Sequence, residues 1–338
     1  MEGPIRENTS LVLNEQGNFF IFLSRNDEMK PFSSLNQQIA QLKARKLTIE
    51  DESKAKEYLL ENNYYNVINL YSKILQVENN QYREGATFDE IVELHILDSE
   101  IKSTLLKSLI QVEKHFKSIF AYYFSERYPN EYDYLKTESY MSNRTLDIHQ
   151  TLAVISKKIN KLNRNHQRSD TPNNSVGHHI QVHGSVPLWV IINELDLGTV
   201  RYMYRYSDDR VRNKVARKLS EHIFQNTGVR LQVNLEANVV DIFLQCINDL
   251  RNCCAHNNKL WDFRTSISIH YIEPIYSQYF SHRQHRTSCF AIYLSLQLAL
   301  SRNEFITLNN ALKKQFKTTS EKIHSVDFNT VLQKYGFP

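Results

Sequence analysis

Thr87-Phe88-Asp89-Glu90-Ile91 opens the stretch that decides the fold of this chain, and Tyr128-Pro129-Asn130 closes it. Thr87 is suited to cap a helix, with Glu90 at the third helical position able to return a hydrogen bond, so the pair forms a capping box. Between these ends Ile91, Leu94, Ile101, Leu105, Leu109, Val112, Phe116, Ile119 and Phe120 fall near one helical stripe. The spacing predicts a long helix, or two in series, over 88–127, stopped by the proline.

Working outward, the flanks read the same way. Leu35, Ile39 and Leu42 share a face, Ile49-Glu50-Asp51-Glu52-Ser53 leads into a second helix through Leu60, and a third spans 64–75. Downstream, helices are expected over 142–165, 188–206, 208–227 and 233–256, with two or more between His285 and Tyr335. The polar break 167–187, with two Gly and two Pro, is expected to be a mobile loop. Near the N-terminus two β-prone runs flank Asn14-Glu15-Gln16-Gly17-Asn18, which predicts a small hairpin or an ordered arm. The expected class is all-α, divided into an arm (1–30), a helical domain (31–264) and a C-terminal helical extension (265–338). No internal repeat is visible.

Composition agrees. Of 338 residues only 8 are Gly and 7 Pro, too few for a turn-rich all-β protein. Hydrophobic residues make up 41% and charged residues 23%, which is ordinary for a soluble domain. The net charge of +4 is mild, so an argument for nucleic acid must rest on where cations cluster. No apolar run is long enough for a membrane span, and residues 1–10 lack a signal-peptide core. Cys246, Cys253, Cys254 and Cys289 form no regular framework, which fits reduced thiols in the cytoplasm.

The chemistry-bearing segment is Leu250-Arg251-Asn252-Cys253-Cys254-Ala255-His256-Asn257-Asn258-Lys259-Leu260-Trp261. Arginine offers a planar fork to phosphate, and histidine is the side chain whose ordinary pKa suits proton transfer near neutrality. Together they suffice to cut RNA without a metal. On a regular helix, however, five steps of about 100° put Arg251 and His256 about 140° apart. Asn252 and His256, four apart, share a face. A site that needs both Arg251 and His256 therefore implies distortion at the helix end or a second copy across a two-fold axis. The plainer alternative is a helix C-cap, with His256 favoured by the dipole and Arg251 paired to Asp249 or Glu236.

This segment resembles the signature of the Abi-like (AbiD/AbiF) abortive-infection family, within the HEPN superfamily, whose ribonuclease motif is Arg, four to six residues, then His. Other motifs follow in the family's order: Asn63-Tyr64-Tyr65, Thr87-Phe88-Asp89-Glu90-Ile91, Leu97-Asp98, Val112-Glu113, Val186-Pro187-Leu188-Trp189-Val190 and Asp196-Leu197-Gly198-Thr199-Val200. The likeness runs from about Lys30 to Trp261. Lys102, Lys117 and Lys259 stand where the family often has arginine. The resemblance implies a HEPN-type helical bundle, a homodimer with a composite site, and RNA cleavage in phage defence, a toxin activity that is latent or triggered. Arg251 and His256 would be catalytic, with Asn252 orienting one of them. A structured RNA is implied as a further partner, and no cofactor is.

Other clusters carry competing readings. Lys157, Lys158, Lys161, Arg164 and Arg168 contain no acid between them, and four lie on one stripe, which suits a phosphate backbone or a merely solvated face. Arg201, Arg205, Arg210, Arg212, Lys214, Arg217 and Lys218 carry Tyr202, Tyr204 and Tyr206 among them, either to stack on bases or to cover a core edge. His178, His179 and His183, with or without Cys253, Cys254 and His256, lack the paired spacing of a zinc site, so no metal is expected. Trp189 and Trp261 are expected as core or interface anchors. The expectation is a cytoplasmic, metal-independent endoribonuclease with no membrane association; its rival is a non-enzymatic RNA-binding or regulatory protein of the same fold.

Overall fold

The computed structural model describes residues 9–13, 19–23, 32–168, 174–256 and 258–338. Strands β1 (Thr9–Leu13) and β2 (Phe19–Leu23) pair antiparallel, Thr9 opposite Leu23 and Leu13 opposite Phe19. The turn predicted between them lies outside the described residues. Everything else is helical: α1 (Leu35–Ala44), α2 (Glu52–Asn62), α3 (Phe88–Arg127), α4 (Thr145–Gln167), α5 (Ser175–His183), α6 (Leu188–Ile191), α7 (Leu197–Tyr206), α8 (Asp209–Thr227), α9 (Ala237–Ala255), α10 (Glu273–Tyr276), α11 (Cys289–Ser295), α12 (Arg302–Ser320) and α13 (Phe328–Lys334). The all-α expectation holds.

The long helix is one helix, not two. Thr87 Oγ1 accepts the Glu90 N–H and Glu90 Oε2 accepts the Thr87 N–H, both at 3.1 Å. Its 40 residues span about 60 Å at the usual rise. Ile91, Leu94, Ile101, Leu105, Leu109, Val112, Phe116 and Phe120 are fully buried along it. Phe116 and Phe120 stack with centroids 6.1 Å apart, and Tyr204 from α7 meets both edge-on. Helices α8, α9 and α12 pack around α3, so the core is built on its apolar stripe.

The C-terminal extension shares this core. Glu90 Oε1 accepts the N–H groups of His324 and Ser325, both at 2.7 Å; Lys322 pairs with Glu93 at 2.9 Å, and Gln315 donates to Thr104. Residues 265–338 are therefore fastened along α3 rather than set apart from it.

Three stretches depart from expectation. The third helix over 64–75 is instead a π turn at Tyr65–Asn69 followed by a 3-10 turn at Ser72–Leu75. Asn63, in the left-handed region at φ 64°, starts it by accepting the Tyr65 N–H with its own side chain. The helix over 188–206 breaks because Asp196 caps α7, accepting from the Thr199 N–H at 2.8 Å and its hydroxyl at 2.9 Å. The loop expected at 167–187 is helical over Ser175–His183. Asn174 caps this helix, Gly184 ends it at φ 78°, and Gly177 lets it press against α4: a Cβ there would lie 2.2 Å from His166 Cβ.

Candidate active site at the end of helix α9

Helix α9 is amphipathic up to its last turn. Leu250, Cys253 and Cys254 point into the core, Asn252, Ala255 and His256 are exposed, and Arg251 lies between. The helix ends at Ala255, and His256 is its C-cap, extended at φ −111° and ψ 167°, its N–H still donating to Asn252 O. Asn252 and His256 thus share a face and a backbone bond, as the four-residue spacing predicts. Arg251 makes no hydrogen bond or ion pair among the described residues, and its Nε is buried without a partner. The pairing with Asp249 or Glu236 is not formed.

The chain beyond His256 is held from a distance. Asp98, fully buried on α3, accepts the Leu260 N–H with both carboxylate oxygens and the Trp261 N–H with Oδ1, each at 3.2 Å. Lys102 pairs with Asp98 at 3.2 Å and donates to Asn258 O. Cys253 Sγ approaches Lys259 O at 3.5 Å. Trp261 is buried edge-on between Tyr71 and Tyr335. Asp98 and Lys102 are thus the residues that position the segment. An acid on the apolar stripe of α3, four residues after Leu94, is the trace of this in the sequence, though nothing local to it names the partner.

Burial pushes the Cys253 thiol up to about 11 and Cys254 higher still. Both are protonated packing groups rather than nucleophiles or ligands. Among the described residues no three His, Cys, Asp or Glu side chains are placed to hold a metal.

An unpaired arginine, an exposed imidazole and a tethered loop occur together, in a segment that lies within a match to a protein family. The Abi-like protein family matches residues 57–262, more than half of the chain. The chain belongs to the Abi-like family. Its abortive-infection association therefore extends to this protein, and the match ends one residue beyond Trp261. No curated protein and no solved structure matches the chain.

In this Abi-like chain the other predicted sites divide sharply. On α4, Lys157, Lys161, Arg164 and Arg168 are exposed, while Lys158 is half-buried and 3.7 Å from Glu194. Arg164 Nε bonds only to Asn160 O in its own helix. The second basic region is mostly neutralised. Arg201 is buried, holding Asp241 at 2.9 Å and Gln245 at 2.9 Å; Arg212 pairs with Asp209, Lys214 with Glu126 and Lys218 with Glu221. Tyr204 is buried and donates to Ala237 O. Of the tyrosines, Tyr202 alone is substantially exposed, stacked on the nearly buried Tyr206. Lys117 is buried against Glu113 and Leu195 O, so it offers nothing to phosphate. Trp189 is 60% exposed, which removes it from the core. No helix among the described residues is long and apolar enough to cross a membrane.

Proposed function

We propose that this protein is a metal-independent endoribonuclease of antiphage defence, acting as a HEPN-type homodimer. One His256 takes the proton from a ribose 2′-OH, whose oxygen attacks the adjacent phosphorus. Arg251 stabilises the charge on the non-bridging oxygens, and the P–O5′ bond breaks as a proton, from the second His256, reaches the leaving oxygen. The products are a 2′,3′-cyclic phosphate and a 5′-hydroxyl. Two copies supply the acid and the base that one helix end, with Arg251 and His256 on different sides, lacks.

The observation that carries this is Arg251 itself. A guanidinium with a buried, unsatisfied Nε costs free energy unless something completes it, and a phosphodiester is the ligand its fork fits best. Asn252, beside it on the exposed face with His256, is the residue proposed to orient the imidazole.

RNA cleavage in EDTA by wild type, Arg251→Ala and His256→Ala, with and without phage infection, tests the site. Cleavage undiminished in both variants would overturn it. The second reading, an RNA-binding protein without catalysis, is favoured by the exposed stripe Lys157, Lys161, Arg164 and Arg168. It prevails when charge reversal there abolishes RNA binding and no cleavage is found in infected cells.

A further inference from the structure

A cavity of about 290 Å³ opens where the end of α3, the turn after it and α5 meet. Its walls are flat and aromatic: Tyr128, Tyr132, Tyr134 and Trp189, with the imidazoles of His179 and His183 facing them from α5. Two of the tyrosines are held in place by hydrogen bonds. Tyr134 is buried and donates to Val186 O at 2.8 Å, and Tyr128 donates to Asp208 at 2.7 Å. Tyr132 adopts the left-handed backbone at φ 55°, a conformation uncommon for a bulky residue, within a turn clasped by Asp133 and Asn130. His179 Nδ1 lies 2.9 Å from Ser185 O. A carbonyl only accepts, so Nδ1 carries the hydrogen and Nε2 of the neutral ring is left as an acceptor. The cavity thus combines stacking surfaces with a directed polar edge and contains no lysine or arginine. Such a lining suits a flat, uncharged heterocycle rather than an acidic ligand.

The cations are next door. Helix α5 is bolted to α4 through the Gly177–His166 contact, through His166 Nε2 to Gln181 Oε1 at 2.9 Å, and through Asn174 to Leu162 O. That portion of α4 carries Lys161, Arg164 and Arg168 exposed. From Gly177 to His183 is only about 9 Å of helix, so the stripe and the cavity occupy neighbouring faces of one α4–α5 unit.

We infer that the cavity receives one unpaired nucleobase of an RNA strand, stacked on Trp189 and hydrogen-bonded at His179, while the strand's phosphates lie along Lys161, Arg164 and Arg168. This is the way single-stranded RNA is read, by splayed bases on aromatic side chains beside a cationic track. The inference rests on the RNA reading proposed above, but not on cleavage.

Intrinsic fluorescence offers a direct test, because the chain has two tryptophans and Trp261 is buried. The Arg251→Ala protein, which keeps every residue of the cavity, is titrated with three probes. These are a mixed-sequence single-stranded RNA, the same RNA with abasic positions throughout, and free nucleoside monophosphates. The base-bearing RNA should quench emission, and the quenching should vanish in Trp189→Phe. Trp189→Ala and His179→Ala, checked for unchanged melting, should bind that RNA about 5- to 100-fold more weakly while binding the abasic RNA as before. Equal affinity of wild type and both variants for the base-bearing RNA overturns the proposal. So does quenching by monophosphates with the RNA silent, which would assign the cavity to a free nucleotide. Failure of the cleavage assay leaves these readouts intact, so the two proposals fall separately.

Discussion

The two ends of α9 handle charge in opposite ways. Near its start Asp241 is buried with a full set of partners, Arg201 at 2.9 Å and Arg205 at 3.7 Å, and the helix is locked to α7. Near its end Arg251 has no partner among the described residues and His256 stands exposed. A buried ion pair contributes little net stability, but breaking one strands a charge. An unpartnered guanidinium gains no such pair, and a buried Nε left without an acceptor costs free energy. One helix thus carries a structural charge at one end and, on the function proposed above, a chemical one at the other.

The largest effect should come from the unpaired end. Arg251→Ala and His256→Ala should each lower RNA cleavage by about 10²- to 10⁴-fold while melting stays close to wild type. A matching fall in stability would mean that Arg251 is structural too, and the contrast would dissolve. At the paired end the sign reverses. Arg201→Ala leaves Asp241 buried with only Arg205 nearby, and denaturant unfolding should show a loss of about 3 kcal/mol. A loss of a few tenths would show that the pair is effectively solvated. Gly177→Ala probes the α4–α5 contact, where the new methyl meets His166; overpacking of this kind should cost about 1–3 kcal/mol in melting experiments. Thr87→Ala removes half of the α3 cap and should cost about 1 kcal/mol.

The smallest expected effect is in pH dependence. Burial alone would raise the Glu90 carboxyl, but the Ser325 and His324 N–H groups hold it below its ordinary value. A depressed folded-state pKa means this contribution is present above the usual glutamate range and is lost as the pH falls through the lower, folded value. Glu90→Gln should therefore flatten the acid limb of the stability curve. An unchanged limb would show that the tie between α3 and the C-terminal extension does not depend on charge.

What the sequence discloses about this molecule follows the range of the interactions. The cap at Thr87 and the stripe from Ile91 to Phe120 are local, and the structure realises them as a single helix. The Arg251-to-His256 segment was legible as a helix end with its four-residue face. Its anchoring was not, because Asp98 and Leu260 are 162 positions apart in the chain. Arg201 stayed open between RNA contact and a core edge because its partner lies forty residues away. Helix α5 was hidden for a related reason: it packs on α4 through the close approach that Gly177 allows to His166, eleven positions earlier. Pairing, local for Arg212 and Lys218 and distant for Arg201 and Lys214, decided which cations are spent and which are left over.

Helix α3 has a metrical consequence. Asp98 tethers the Arg251–His256 end, and Phe124 lines the aromatic cavity. The 26 helical steps between them make a rigid ruler of about 40 Å. If the proposed base site and cleavage site both hold, an RNA seated in the cavity has to reach about that far to meet the Arg251–His256 end of the same chain. Fragments shorter than this span should therefore be gripped and left whole, and the minimum length of a cleavable RNA becomes a measure of α3.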